Sequence, residues 1–297
     1  MEPTVATEGL PLVAVTGAKS LDNGNQLLRA DSTAVQLPRY FLIKPWIDRG
    51  LALLLLLPGL PIMLVLIVAI RLTSRGPAIF RQRRVGLHGR DFTMFKLRSM
   101  VTDAEARTGP VWSVGKDPRV TWLGGLLRKL HLDELPQLFN VVRGEMALTG
   151  PRPERPEIAV HLATRIPGYG RRLAVLPGIT GLAQINLPPD SQLADVQRKL
   201  VVDLEYIQDA SLLLDLRMTL CSLLRLLGLS GDLAISVMGL RRTPEIPTAW
   251  LEQEHANDDT SPMWWIRPNP TPASIPDSPA LSESCQAESW TALRATP

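Results

Sequence analysis

Cysteine and aromatic residues are scarce in this chain of 297 residues, and that scarcity excludes several classes of protein. The chain has two cysteines, Cys221 and Cys285, and only 5% of its residues are Phe, Trp or Tyr. Two cysteines so far apart provide neither a disulfide framework nor a cysteine metal site, which fits a reducing cytoplasm. Few aromatic residues and no base-reading motif also argue against nucleic acid as a partner.

The common signatures of nucleotide and metal chemistry are missing as well. The sequence contains no Walker loop, no G-x-G-x-x-G after a strand, no H-E-x-x-H and no G-x-S-x-G. Its four histidines show no ligand spacing. The sequence therefore matches none of these nucleotide-binding, zinc-protease or hydrolase motifs.

The small net charge of +3 is unevenly distributed. Residues 1–242 carry 30 Lys and Arg against 21 Asp and Glu, whereas residues 243–297 carry 2 against 8. Residues 71–100 alone hold eight basic residues and one Asp. Positive charge clustered beside an apolar segment predicts membrane lipid headgroups or phosphorylated substrates as partners.

That apolar segment is Leu51–Ile70, twenty uncharged residues that contain Pro58, Gly59 and Pro61. About twenty apolar residues can span a bilayer core. Each proline removes a helix donor, however, and the glycine weakens the turn between them, so we expect the helix to break there. Basic residues flank the segment on both sides, at Lys44, Arg49, Arg71 and Arg75.

Positive flanks stay on the cytoplasmic side of a membrane. A helix that enters the bilayer, breaks and returns keeps both flanks there, which favours a re-entrant helix. An ordinary span and a buried core helix are the alternatives. A signal peptide is a poor fit because the segment begins 50 residues into the chain.

Composition and periodicity divide the chain into four parts. We predict a flexible arm at 1–39, a re-entrant membrane helix at 40–72, a catalytic domain at 73–242 and a disordered, acidic, Pro- and Ser-rich tail at 243–297. The predicted fold class is α+β and mainly helical, with a short β-hairpin and interfacial amphipathic helices. The strands are expected at 78–84 and 92–97, and the helices at 121–130, 135–142, 157–165, 192–209 and 212–227.

Adjacent carboxylates at Asp133 and Glu134 are the first candidates for chemistry. A helix N-terminus explains them structurally, with Asp133 as the cap and Pro136 tolerated in the first turn. The alternative is functional, because phosphate binds at helix N-termini and a carboxylate there can ligate Mg²⁺ or attack phosphorus. Arg128 and Arg152 lie nearby in the sequence and can each fork onto phosphate oxygens.

Two further basic residues, Lys96 and Arg98, share a face if their segment is a strand. They then face either phosphate or solvent, and their own spacing does not decide between these.

Taken in order, these pieces resemble the bacterial sugar transferases, the monotopic polyprenyl-phosphate phosphoglycosyl transferases. The resemblance covers about 41–227. It consists of the Pro-broken apolar segment followed by GPAIFRQRRVG at 76–86, KLRSM at 96–100, DPRV at 117–120, LLRK at 126–129, LDELPQLFNV at 132–141, GPRP at 150–153, PGITG at 177–181 and LDL at 214–216.

The resemblance implies roles for specific residues. Asp133 matches the family's nucleophile and Glu134 completes the catalytic pair, both near Mg²⁺, while Arg128 and Arg152 match phosphate-binding arginines. It also implies a nucleotide diphosphate sugar as donor, commonly a UDP-sugar, and polyprenyl (undecaprenyl) phosphate as acceptor. The expected location is the cytoplasmic face of the inner membrane, with a homodimer as a candidate assembly.

The chain departs from the family pattern at several positions. Pro45 follows Lys44 where an arginine is frequent, and Leu57 precedes the first helix-breaking proline where a serine is frequent. His131 stands where Ser or Thr is common. None of these changes removes a candidate chemical residue.

The expected activity is therefore transfer of a phosphosugar to the lipid phosphate through an aspartyl intermediate, as the first step of exopolysaccharide, capsule or O-antigen assembly. The alternatives are a catalytically degenerate membrane scaffold of a polysaccharide assembly complex, and a single-span glycosyltransferase that would release UDP instead of UMP.

Overall fold

The structure is a computed structural model that describes residues 24–102, 104, 117–226, 228–248 and 250. Residues 24–33 form α1. The other helices are α2 (Tyr40–Thr73), α3 (Trp122–Lys129), α4 (Gln137–Arg143), α5 (Pro156–Arg165), α6 (Leu182–Asn186), α7 (Leu193–Asp209), α8 (Leu212–Leu226) and α9 (Gly231–Val237). The strands are β1 (Ile79–Val85), β2 (Asp91–Leu97), β3 (Ala147–Thr149) and β4 (Gly178–Thr180).

The predicted hairpin and most of the predicted helices are confirmed. β1 and β2 pair antiparallel across the short connection that contains Gly86, with Ile79 opposite Leu97 and Val85 opposite Asp91. The parallel pair β3–β4 was not predicted, because three-residue strands are too short to show alternation.

Helix α2 runs without interruption through all three of its prolines, Pro45, Pro58 and Pro61. The predicted helical break at Pro58, Gly59 and Pro61 is therefore wrong for the backbone. A proline inside a helix costs about 3 kcal/mol, but packing can outweigh this. Leu56 and Met63 supply such packing, since both are buried in one cluster with Leu138 of α4. The re-entrant path itself stays a prediction.

One face of α2 packs on the rest of the fold and the other is bare. Its buried residues recur every three or four positions for most of its length: Lys44, Asp48, Ala52, Leu56, Gly59, Met63 and Ile70. The helix is long and apolar enough to cross a membrane, and only 22% of its most apolar 18-residue stretch is buried. A buried core helix would hide most of its side chains, so that alternative is wrong.

A buried polar cluster attaches the beginning of α2 to α8. Lys44 lies 3.1 Å from Asp48 and forms an ion pair with Asp215 of α8. The Lys44 ammonium also donates to Thr149 Oγ1 at 2.8 Å, and Tyr206 Oη donates to Asp215 at 2.9 Å. Buried charges need such partners, and here they fix where α2 meets the domain.

The N-terminal arm is ordered in its described part. Leu28 of α1 is 1% exposed and belongs to a hydrophobic cluster with residues of α5 and α7. Asp31 accepts a hydrogen bond from the backbone N–H of Gly170 at 3.2 Å. The prediction of a flexible arm is thus wrong for residues 24–33, while residues 1–23 and nearly all of the predicted tail lie outside the described residues.

Helix α8 buries Leu214, Asp215, Met218 and Cys221 and exposes a second row of leucines. Those exposed are Leu212, Leu213, Leu216, Leu220, Leu223 and Leu226. An ordinary core-packing helix would present polar residues on that outer face. The bare leucines are consistent with the predicted interfacial helix.

Candidate active site

A cavity of about 870 Å³ brings the predicted site residues together. Its wall includes all six of them: Lys96, Arg98, Arg128, Asp133, Glu134 and Arg152. They come from four separate parts of the fold, namely the end of β2, α3, the turn before α4 and the loop after β3. Only the folded chain makes them neighbours.

Asp133 and Glu134 lie in a single 3₁₀ turn, Leu132–Glu134, and not at the start of an α-helix. The predicted helix-capping role of Asp133 is therefore wrong. The turn follows His131, whose φ of 52° is in the left-handed region that residues with a Cβ rarely adopt. Such strain costs about 1 kcal/mol or more and persists where the surrounding structure enforces it.

Asn140 holds the following helix α4 against β2. Its side-chain amide donates to Thr93 O at 2.7 Å and its Oδ1 accepts from the Phe95 N–H at 3.1 Å. This completely buried side chain fixes the distance between Lys96 on β2 and the carboxylate turn that precedes α4.

Glu134 is held by two cations. Its Oε1 accepts from Lys96 Nζ at 2.9 Å and from an Arg152 Nη at 3.0 Å. Burial alone would raise the pKa of Glu134, but Arg152 and Lys96 together hold that pKa well below its usual range. Burial in turn lowers the pKa of Lys96, as does nearby Arg152, against the opposing pull of Glu134. Glu134 is thus a fixed anion.

Asp133, the residue directly before Glu134, has a different environment. It is 7% exposed, lines the cavity and has no hydrogen-bond partner among the described residues. Burial raises the pKa of Asp133, and the neighbouring Glu134 charge adds to this, while Lys96, Arg128 and Arg152 oppose it. An unbonded carboxylate among cations is available for a reaction.

The two remaining arginines have different positions. Arg128 donates from Nε to Ser99 Oγ at 2.8 Å, which leaves the end of its guanidinium for the cavity. Arg98 lies just beyond β2 and donates from Nη2 to both Ser74 O and Ser74 Oγ, at 2.8 and 2.6 Å. Arg98 and Lys96 both reach the cavity wall, but Arg98 also contacts the end of α2.

Sequence reasoning missed Arg172 and Asp203, which also line the cavity. Arg172 pairs with Asp203 at 2.6 Å and donates to Arg152 O at 2.9 Å and to Tyr169 Oη at 2.9 Å. It thereby supports the backbone of Arg152. One signal was present, since Asp203 interrupts an apolar helical stripe and a carboxylate in such a stripe needs a buried partner.

The donor set of the site fits Mg²⁺. Among the residues that the structure describes, no group of three His, Cys, Asp or Glu side chains is placed to hold a metal ion. Mg²⁺ does not require one, because it commonly binds one or two carboxylates together with substrate phosphates and water. Asp133 has unused oxygen lone pairs, whereas Glu134 Oε1 already accepts two hydrogen bonds.

Comparison with known proteins gives a consistent result. Residues 39–228 match the bacterial sugar transferase family. The chain is 41% identical over 192 residues to the UDP-glucose:undecaprenyl-phosphate glucose-1-phosphate transferase of Xanthomonas campestris pv. campestris, covering 64% of this chain and 40% of that protein.

Two further relatives are named for a different sugar and for exopolysaccharide production. A UDP-N-acetylgalactosamine-undecaprenyl-phosphate N-acetylgalactosaminephosphotransferase of Aeromonas hydrophila is 41% identical over 178 residues, or 60% of this chain and 42% of that protein. The exopolysaccharide production protein PSS of Rhizobium leguminosarum bv. phaseoli is 36% identical over 162 residues, or 53% and 81%. The chain spans less than half the length of the Xanthomonas and Aeromonas proteins. The family match nevertheless covers most of this chain, which therefore belongs to the bacterial sugar transferase family.

Proposed function

We propose that the protein is a phosphoglycosyl transferase. It transfers a sugar phosphate from a nucleotide diphosphate sugar, UDP-linked in the first instance, to undecaprenyl phosphate and releases the nucleoside monophosphate. The names of its relatives supply this substrate class, with glucose and N-acetylgalactosamine as the first sugars to test.

One observation carries the proposal. Asp133 is a buried carboxylate without a hydrogen-bond partner among the described residues, and it shares a cavity wall with Arg128, Arg152 and Lys96. A carboxylate that only balanced charge would be bonded to its cations, as Glu134 is. Asp133 is instead placed to attack, and the cations are placed to attract a diphosphate.

In the first step, an Asp133 carboxylate oxygen forms a bond to the sugar-proximal phosphorus of the donor. The bond from that phosphorus to the bridging oxygen breaks, and its electron pair leaves with the nucleoside monophosphate. Arg128 and Arg152 hydrogen-bond the phosphoryl oxygens, and their positive charge offsets the charge that develops there. The product on the protein is an aspartyl phosphosugar.

In the second step, a phosphate oxygen of undecaprenyl phosphate attacks the same phosphorus. The bond to Asp133 breaks and its electron pair returns to the carboxylate, so the enzyme is regenerated and undecaprenyl-diphospho-sugar leaves. Throughout both steps Glu134 keeps Arg152 and Lys96 in place.

Mg²⁺ is the proposed cofactor, held by Asp133 and Glu134 with the donor's phosphates. When bound, it neutralises phosphate charge and orients the diphosphate. The product would begin the assembly of an exopolysaccharide, capsule or O-antigen type of glycan.

We place the protein on the cytoplasmic face of the inner membrane, with α2 as a re-entrant helix. Three features support this: the bare apolar face of α2, its basic flanks, and the attachment of both its ends to one folded unit, Lys44 to Asp215 and Ser74 to Arg98. Because α2 is continuous and would extend about 50 Å if straight, its return to the same side requires it to bend at its prolines rather than to break there.

Cysteine labelling tests this topology. With Cys221 and Cys285 replaced by serine, single cysteines at Arg39 and Arg75 should both react with a membrane-impermeant maleimide only when the cytoplasmic side is accessible. Labelling of the two positions from opposite sides would establish a span and contradict the re-entrant path.

The activity is tested with a panel of nucleotide sugars, Mg²⁺ and undecaprenyl phosphate, with the released nucleotide identified. We expect UMP from one or a few UDP-sugars and a lipid-linked phosphosugar in equal amount. Release of UDP would indicate a glycosyltransferase that moves sugar without phosphate. No release from any donor would favour the scaffold alternative.

A further inference from the structure

Arg98 is a buried cation whose hydrogen bonds are only partly satisfied. The residue is 7% exposed, and its Nη2 is bonded to Ser74 at the end of α2. Its Nη1 is buried and has no hydrogen-bond partner in the part of the chain that the structure describes. An unbonded charged donor in such a place costs free energy that a bound anion would recover.

The surroundings of Arg98 are apolar on the cavity side. We call this part of the wall the apolar mouth and define it by Pro77, Ile79, Phe80, Met100 and Val101. The Arg98 N–H donates to Ala78 O at 2.8 Å, so Arg98 lies directly beside the start of β1, which supplies Ile79 and Phe80. Phe80 and Val101 are 43% and 48% exposed, which is high for large apolar side chains.

The apolar mouth adjoins segments that expose still more apolar surface. Leu72, in the last turn of α2, is 81% exposed, and Trp122, at the start of α3, is 83% exposed. Helix α3 begins beside Ser99, where the Thr121 N–H donates to Ser99 O at 3.1 Å. Exposed apolar side chains thus stand both at the end of α2 that Arg98 contacts and at the start of α3, the helix that carries Arg128.

Gly76 lies directly beside the unbonded Nη1 of Arg98. An ideal Cβ on Gly76 would stand 2.5 Å from Arg98 Nη1, and the φ of 108° at Gly76 is one that side chains with a Cβ rarely adopt. The same Cβ would stand 2.7 Å from Thr102 Cγ2, so only glycine leaves room for the Arg98 guanidinium at this point.

We infer that Arg98 binds the phosphate of the lipid acceptor, and that the apolar mouth receives the first isoprene units of its chain. This rests on the proposed function and adds to it a separate acceptor site. A polyprenyl phosphate that arrives along apolar surface brings its charged head to the boundary with the polar cavity, and Arg98 stands at that boundary. The donor's diphosphate, in contrast, meets Arg128 and Arg152.

The two half-reactions distinguish these roles. Exchange of labelled UMP into the UDP-sugar needs only the donor and the first step, whereas net transfer also needs undecaprenyl phosphate. We expect Arg98→Lys to keep exchange within twofold of the wild-type rate and to raise the KM for undecaprenyl phosphate about tenfold. Lysine retains a cation that can bond Ser74 but loses the planar fork that bonds two partners at once. Arg98→Met should raise that KM further, up to about a hundredfold.

Arg75→Met is the matched control, because Arg75 is exposed one residue beyond Ser74 and does not line the cavity. It should leave both measurements within twofold of wild type. An equal rise in KM in Arg75→Met would reduce the effect to general attraction of an anionic lipid and overturn the inference.

Two other outcomes also overturn it. One is a parallel fall of exchange and transfer in Arg98→Lys, which would assign Arg98 to the donor or to the fold. The other is an unchanged KM in Arg98→Lys, the variant that decides the matter if Arg98→Met does not fold. Absence of exchange in the wild-type protein would refute the proposed function itself and is thereby distinguishable.

Discussion

Replacement of Asp133 by asparagine is expected to abolish UMP release and transfer, with a loss of about 1000-fold or more, while the protein becomes no less stable. Asparagine keeps the shape of the side chain but has no anionic oxygen to attack phosphorus, and loss of a covalent nucleophile has effects of this size. The contrast between activity and stability is what makes the variant informative.

The expected stability follows from the direction of the pKa shift. Burial raises the pKa of Asp133 in the folded protein, so between its ordinary value and that raised value the folded state binds more protons than the unfolded state. Stability therefore falls as the pH rises through this window, and at neutral pH the charged Asp133 destabilises the fold. Asp133→Asn removes that cost, so its unfolding temperature should equal or exceed that of wild type at pH 7.

Asp209→Asn is a matched control, because it makes the same chemical change at an exposed position in the last turn of α7. Its activity and unfolding temperature should stay close to wild type. Thermal unfolding in detergent and nucleotide release together provide the measurement. Turnover above about a tenth of wild type in Asp133→Asn would reject Asp133 as nucleophile. A large drop in unfolding temperature would show that the Asp133 carboxylate is bonded in the folded protein.

The elements that the sequence predicted well are those with a strong period. Helix α7 was expected at 192–209 and is Leu193–Asp209, and β2 was expected at 92–97 and is Asp91–Leu97. Both have enough turns or alternations to reveal one buried face. The β3–β4 pair has three residues in each strand, and no local pattern can indicate a partner 31 residues away.

Proline misled the prediction for α2 because local propensity was given more weight than tertiary contact. Pro58 and Pro61 do remove hydrogen bonds, but Leu56 and Met63 on either side of them are buried in one cluster with residues of α3 and α4. That packing is invisible in a single sequence.

The sequence predicted the main residues of the candidate site but not their environments, again because tertiary contacts decide them. The family resemblance pointed to Asp133, Glu134, Arg128 and Arg152, and the fold places them on one cavity wall. The different environments of the two adjacent carboxylates depend on Lys96, which is 37 positions from Asp133. Sequence spacing does not determine which carboxylate receives that ammonium.

Glu134→Gln tests the other carboxylate and is expected to act mainly on stability and positioning. It leaves Lys96 and Arg152 without their shared anion. Loss of one partner of a fully buried ion pair costs about 3–5 kcal/mol, and we expect about 2–3 kcal/mol here because the Arg152 side chain is 39% exposed. Transfer should fall about a hundredfold, since Arg152 is no longer held where the diphosphate binds.

The contribution of Glu134 to folding stability depends on pH with the opposite sign to that of Asp133. Lys96 and Arg152 hold the pKa of Glu134 below its ordinary value, so its contribution to stability is fully present at neutral pH and is lost as the pH falls. The stability gap between wild type and Glu134→Gln should thus be widest at pH 7 and narrow below about pH 4. Glu157→Gln provides the control, because Glu157 is 56% exposed and lies 3.8 Å from Arg155, where an ion pair contributes little.

At pH 7 the two neighbouring isosteric substitutions should therefore differ in their effect on stability. Asp133→Asn should leave it unchanged or raise it, whereas Glu134→Gln should lower it. Two carboxylates that were bonded equally to the same basic side chains would respond alike. A drop of similar size in both variants would show that Asp133 is held as firmly as Glu134, and an aspartate so held would be a poor nucleophile.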